Sequence, residues 1–123
     1  MLMVIALATA TISQAATPAV GEDEIVVMGQ RLNSWTGRYQ IRGARRKCST
    51  KKSSGDREID KVGCVAFLEC ADKYQELIDA GDAKDIGRAT RATLKQELIS
   101  NMKTCIADRR IILLRELSSR RAR

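Results

Sequence analysis

Apolar positions run along this chain in stretches of different period, and each period predicts a different element. The first stretch, Met1 to Ala15, is apolar or small throughout, carries no charge, and closes on Ser13-Gln14-Ala15. Its apolar run is only about a dozen residues, short of the about 20 needed to span a bilayer. A segment of this kind reads as the apolar core and small-x-small cleavage site of a signal peptide over 1–15, without the usual basic start. A true start codon slightly upstream would supply the missing Lys or Arg. The competing reading is a buried apolar helix or strand at the N-terminus.

Residues 16–33 read as a leader. Positions 16–24 are small and acidic and hold the only proline, a composition that favours disorder. Glu24-Ile25-Val26-Val27-Met28-Gly29 is β-prone and closed by glycine, which predicts a short strand. True alternation begins at Trp35. Trp35, Gly37, Tyr39 and Ile41 share one face, and Thr36, Arg38 and Gln40 share the other. Arg42-Gly43-Ala44 can turn the chain and Arg45 to Thr50 can return with Cys48, so a β-hairpin is expected over 34–50.

The period then changes to that of a helix. Ser53-Ser54-Gly55-Asp56 predicts a helix start, with Ser53 as N-cap and Asp56 in the capping-box position. Ile59, Val62, Ala66, Cys70, Tyr74 and Leu77 form the stripe, flanked by Val65, Phe67 and Ile78. Glu69 and Lys73 are spaced for an i,i+4 ion pair. Gly63 lowers helix propensity and is expected to mark close packing of a neighbour. Gly81 is expected to end this helix. A second helix is predicted from Asp82 or Asp85, with Ile86, Ala89, Thr93, Leu94, Leu98, Met102, Cys105 and Ile106 in its stripe. Lys84, Arg88, Arg91 and Lys95 lie on another face. Unbroken to the C-terminus it would far exceed the usual length of about 11–12 residues, so a bend is expected at 107–110. The tail block Ile111-Ile112-Leu113-Leu114, with Leu117, is expected mainly to complete the core; a membrane surface or a partner's groove is the other reading.

One Trp, one Phe and two Tyr make a thin aromatic core for 123 residues. Domains this small often need covalent help. Cys48, Cys64, Cys70 and Cys105 can give it: an even count behind a secretory segment predicts two disulfides formed in an oxidising compartment. Cys64 and Cys70 sit six positions apart on one helix, about 9 Å in rise, beyond the about 7 Å that a disulfide allows. Two pairings remain open. An antiparallel hairpin with its turn at 81–86 brings Cys105 nearer to Cys64, which favours Cys64–Cys105 with Cys48–Cys70. A longer inter-helix loop favours Cys48–Cys64 with Cys70–Cys105.

The net charge is +7, with cationic excess in residues 16–47 and 106–123 and a slightly acidic middle. There is no histidine, which removes the commonest general base and metal ligand. The cysteine gaps lack the two-to-four-residue spacing of zinc knuckles, so disulfides are expected in place of metal, and no cofactor is expected. Asp56 with Asp60 and Asp72 with Glu76 are i,i+4 carboxylates with no nucleophile or phosphate loop beside them, which reads as solvated helix surface. The expected contact residues are cations: Arg42, Arg45, Arg46 and Lys47, with Arg109, Arg110, Arg120, Arg121 and Arg123. Scarce aromatics and export both argue against nucleic acid; an acidic protein or an anionic envelope surface fits better. Charge that serves only solubility is the plain alternative.

Asp23-Glu24-Ile25-Val26-Val27-Met28-Gly29 resembles the short stretch that opens many TonB-dependent outer-membrane receptors, without enough chain after it for their barrel. More of the chain, 24–123, resembles small exported alphaproteobacterial proteins of no assigned role. The likeness rests on Trp35-Thr36-Gly37, Ser53-Ser54-Gly55-Asp56, the Cys64/Cys70 pair and Cys105-Ile106-Ala107-Asp108-Arg109-Arg110. It implies an envelope location and a shared four-cysteine frame, and lends no activity.

The fold expected is α+β: a short β-hairpin, two antiparallel helices and a C-terminal helical tail, stapled by two disulfides over 34–123. The function expected is a non-enzymatic interaction protein, periplasmic or secreted. The alternatives are a cationic binder of an anionic envelope surface or membrane and, without export, a nucleic-acid accessory protein.

Overall fold

The computed structural model describes residues 22–123; the expected signal peptide and the first residues of the leader lie outside them. The elements run α1 (Glu22–Ser34), β1 (Thr36–Arg42), β2 (Arg45–Lys52), α2 (Arg57–Lys73), α3 (Gln75–Asp82) and α4 (Arg88–Arg121). The fold is α+β, a two-stranded antiparallel hairpin among helices with two disulfides. Among the described residues no helix is long and apolar enough to cross a membrane.

The hairpin forms where alternation places it. Gly43 turns it at φ +58, a left-handed conformation that favours glycine. Trp35 and the inward residues Tyr39 and Ile41 face α2, and this interface holds most of the aromatic mass. Tyr39 stacks on Phe67 at 4.2 Å between ring centroids, and Trp35 lies 6.2 Å from Tyr39. The Trp35 indole Nε1–H donates to Thr50 Oγ1 across the hairpin at 2.9 Å.

Gly63 shows why this contact needs a bare backbone. A Cβ there would stand 2.6 Å from Trp35 Cζ3, and one at Gly37 would meet the same ring more closely still. Gly-to-Ala in a helix interior ordinarily stabilises by about 1 kcal/mol, whereas overpacking costs about 1–3 kcal/mol. Gly63→Ala is therefore expected to destabilise, by up to about 2 kcal/mol. A higher urea midpoint for the variant would show that the indole moves aside freely.

Two apolar clusters form the core. Met28, Leu32, Trp35, Ile59, Val62, Leu114 and Leu117 make one, with Cys64 and Leu113 at its margin. Phe67, Cys70, Ala71, Ile78, Met102 and Cys105 make the other, and Cys48 borders both. The tail block is divided: Leu114 and Leu117 are buried, while Ile111 and Ile112 remain 48% and 42% exposed.

Several expectations are corrected. Glu24–Gly29 is helical, not a strand. Met28 and Leu32, four apart, both bury against α4's core residues, and the Ser118 hydroxyl donates to Glu24 at 3.1 Å; Val26 and Val27 face outward. Tertiary packing overrides the β propensity of Ile-Val-Val. The N-cap of α2 is Asp56 rather than Ser53, because Gly55 (φ +89) delivers Asp56 to the helix start. Asp56 Oδ1 accepts from the amides of Glu58 and Ile59.

Gly81 does not end a single first helix. The helix breaks at Tyr74, and α3 continues through Gly81 to Asp82. The loop before α4 spans 83–87, so the second helix starts at Arg88, later than expected. With the first helix broken at Tyr74, the register of two straight antiparallel helices does not apply, and the observed pairing is the reverse of the favoured one. The bridges are Cys48–Cys64 and Cys70–Cys105, with Cα atoms 5.5 and 5.9 Å apart. α4 has no break at 107–110. No glycine or proline interrupts it, and its buried face serves α3, α2 and α1 in turn, so a bend would gain nothing. Glu69 pairs with Arg109 across helices instead of with Lys73, whose ammonium lies over the Tyr74 ring.

Candidate functional site

Strand pairing concentrates the charge of the molecule on one element. Residues 36–52 hold seven basic side chains and no acidic one, equal to the net charge of the whole chain. Outside this hairpin, acids and bases balance.

The pleat divides these cations by face. Opposite one another across the strands stand Arg42 and Arg45, Gln40 and Lys47, Arg38 and Ser49, and Thr36 and Lys52. All eight are exposed and face away from the core that Trp35, Tyr39 and Ile41 enter. Lys51 is exposed beside them at the register shift near Thr36. Arg46 takes the inner face and pairs with Asp72, its side chain only 9% exposed.

This surface is held firmly. Cys48–Cys64 ties β2 to α2, the Tyr39–Phe67 stack ties β1, and Gln75 Nε2 donates to the Gly43 carbonyl at 3.5 Å. A groove of about 560 Å³ is lined by Arg38, Gln40, Arg46, Lys47, Cys48, Ser49 and Leu68.

The expected contact residues thus divide. Arg42, Arg45 and Lys47 lie together on the outer face, but Arg46 does not join them. Arg109 is engaged by Glu69, and Arg110 lies 5.7 Å over the Trp35 ring while donating to the Tyr39 hydroxyl at 3.2 Å. Arg121 donates to Asp56 at 2.7 and 2.8 Å. Arg120 and Arg123 are exposed at the far end of α4, away from the hairpin tip. Arg120 lines a second concavity with Lys61 and Arg121, where Glu58 and Glu116 offset the charge. Sequence reading missed Arg38, Lys51 and Lys52. Arg38 stands apart from other cations in sequence, and Lys51 and Lys52 fall beyond the expected end of the hairpin at residue 50, so no run of consecutive charges marks them as one face.

Asp56 and Asp60, expected as solvated helix surface, are instead half-buried and have structural roles, whereas Asp72 and Glu76 are exposed as expected and Asp72 pairs with Arg46. Asp60 accepts from the Ser53 and Ser54 hydroxyls at 2.5 and 2.6 Å and from the Ser54 amide at 2.8 Å. Burial pushes the carboxyls of Asp56 and Asp60 up, but is outweighed. Hydrogen bonds from Arg121, Ile59 and Glu58, with the Arg121 charge, hold Asp56 below its ordinary 3.8; those from Ser53 and Ser54 do so for Asp60. A carboxyl depressed in the fold contributes stability above its unfolded pKa of about 3.9 and loses it as pH falls through the folded value. Urea stability is therefore expected to fall as pH drops from about 4 toward 2, and less steeply in Asp56→Asn. Equal slopes in the two proteins would contradict this role.

Among the described residues no group of three or more His, Cys, Asp or Glu is placed to hold a metal ion, and all four cysteines are in disulfides. No protein-family model, curated protein or solved structure matches the chain.

Proposed function

We propose that this chain is an exported, non-enzymatic interaction protein that binds an anionic partner through the outer face of its hairpin. One observation carries the reading: a rigidly held face bears Arg38, Arg42, Arg45, Lys47 and Lys52 with no carboxylate among them. Arg42 directly opposes Arg45. Like charges in that position repel, so the arrangement costs stability in the free protein and is relieved by a bound anion. Basic residues do keep open sheet edges from pairing with other strands. That role is served by either sign of charge, and here only one is present. Export is supported by the uncharged apolar segment 1–15 and by two disulfides, which persist in oxidising compartments. The resemblance to small exported proteins with a four-cysteine frame points the same way.

The test is chromatography of the oxidised protein on a sulfated matrix. The native protein is expected to stay bound at physiological ionic strength, about 0.15 M. The variant R42E/R45E/K47E is expected to pass through, and R120E/R123E to be retained almost as well as the native chain. Equal loss in both variants would mean that only net charge matters, and the hairpin would have no special role.

A further inference from the structure

We infer that the ligand of the hairpin face is a linear anionic polysaccharide, a chain of sugars bearing carboxylate or sulfate groups, lying along the strands. This inference rests on the anion-binding reading above and narrows its partner.

Shape is the first reason. Outer-face residues of one strand repeat every about 7 Å, and neighbouring strands lie about 5 Å apart. The cations from Lys52 to Arg42 therefore form a strip two strands wide and about 20 Å long. A narrow strip matches an extended chain better than a plane of lipid headgroups. A groove lined by Arg38, Gln40, Arg46, Lys47, Cys48, Ser49 and Leu68 opens beside the strip and gives an extended chain a second line of contact.

Chemistry is the second. Thr36, Gln40 and Ser49 stand between the cations on the same face. They offer neutral hydrogen-bond donors and acceptors, which suit the hydroxyls between the charges of a polysaccharide. No aromatic or aliphatic side chain of the hairpin shares its outer face, and Leu68 of α2 is the one aliphatic residue lining the groove; Tyr39 and Ile41 are on the other side of the pleat. Single-stranded nucleic acid would find no ring to stack its bases on, and a membrane no apolar group to take up. Rigidity is the third: the Cys48–Cys64 bridge and the Tyr39–Phe67 stack fix the spacing of the cations before any ligand arrives.

The experiment titrates the oxidised full chain, at physiological ionic strength, with three probes. These are an end-labelled heparin fragment, an oligothymidylate of equal charge, and vesicles of mixed zwitterionic and anionic phospholipid. The heparin fragment is expected to bind at least about tenfold tighter than the oligothymidylate, a difference well above experimental error, and the protein is not expected to sediment with vesicles. R42E/R45E/K47E is expected to weaken heparin binding by about tenfold, and R120E/R123E by less than about twofold. Circular dichroism of both variants should match the native protein, since these side chains are exposed. Oligothymidylate or vesicle binding that equals the heparin affinity and falls in the hairpin variant would overturn the polysaccharide assignment and leave the anion-binding reading standing. Failure of all three probes to bind, even at low salt, would overturn both. Equal weakening by the two variants would overturn the hairpin placement.

Discussion

Trp35→Ala is expected to destabilise the oxidised protein by about 3–5 kcal/mol, the range for emptying a buried large aromatic site. Trp35 is 6% exposed and joins α1's Met28 and Leu32 to α2's Ile59 and Val62 and α4's Leu114 and Leu117. Its removal would leave space beside Gly37 and Gly63, two positions with no side chain to fill it. It would also free the Thr50 hydroxyl and the Arg110 guanidinium that lies over the ring. With total stabilities of about 5–15 kcal/mol for small domains, the variant should be partly unfolded at 37 °C. Urea unfolding followed by far-UV circular dichroism measures this without needing the indole signal. A loss below about 1 kcal/mol, the scale of an ordinary surface exchange, would mean that the two glycines do not define a tight site.

The second large effect separates the two bridges. Removing Cys70–Cys105 by double alanine substitution is expected to cost about 4 kcal/mol, and removing Cys48–Cys64 about 3 kcal/mol, from the chain each closes. Their sequence separations are 35 and 16. Burial widens the gap. Cys70 is fully buried and Cys105 nearly so, within the Phe67–Met102 cluster, so alanine there also leaves a void. Cys48 and Cys64 are half-buried. The Cys48–Cys64 variant should therefore keep its helices and loosen the hairpin, whereas the Cys70–Cys105 variant should lose cooperative unfolding first. The reverse order of urea midpoints would contradict this assignment of the longer, buried bridge as the stronger one.

Hydrophobic period carried the hairpin and the core face of α2 because each is local. Trp35, Tyr39 and Ile41 on one face and Arg38 and Gln40 on the other need only the pleat. Ile59, Val62, Ala66 and Cys70 need only the helical turn, and all four are buried. What depends on partners distant in sequence was less legible. Glu24–Gly29 has strand-like residues, and only the apolar surface of Leu114 and Leu117, some ninety positions later, makes its helical form pay. The disulfide pairing turned on how the chain runs between α2 and α4, where a separate short helix intervenes. A break at Tyr74 and a start at Arg88 moved Cys105 from the reach of Cys64 to that of Cys70. No local pattern announces such a shift. The cationic site was legible in part: Arg42, Arg45 and Lys47 were found, but Arg46, beside them in sequence, has the opposite pleat direction and meets Asp72. At the C-terminus, Arg109 and Arg121 looked free in sequence and are held by acids of α2 and its cap.

We propose a chain with few aromatic residues that is cross-linked after export and presents a rigid cationic strip. Peptide mapping without reduction, on protein recovered from the cells that make it, tests this most directly. The account predicts one linked peptide pair joining Cys48 to Cys64, another joining Cys70 to Cys105, and an N-terminus just after Ala15 or Ala16, all from material outside the cytoplasm. Four unmodified thiols in an uncut cytosolic chain would contradict it.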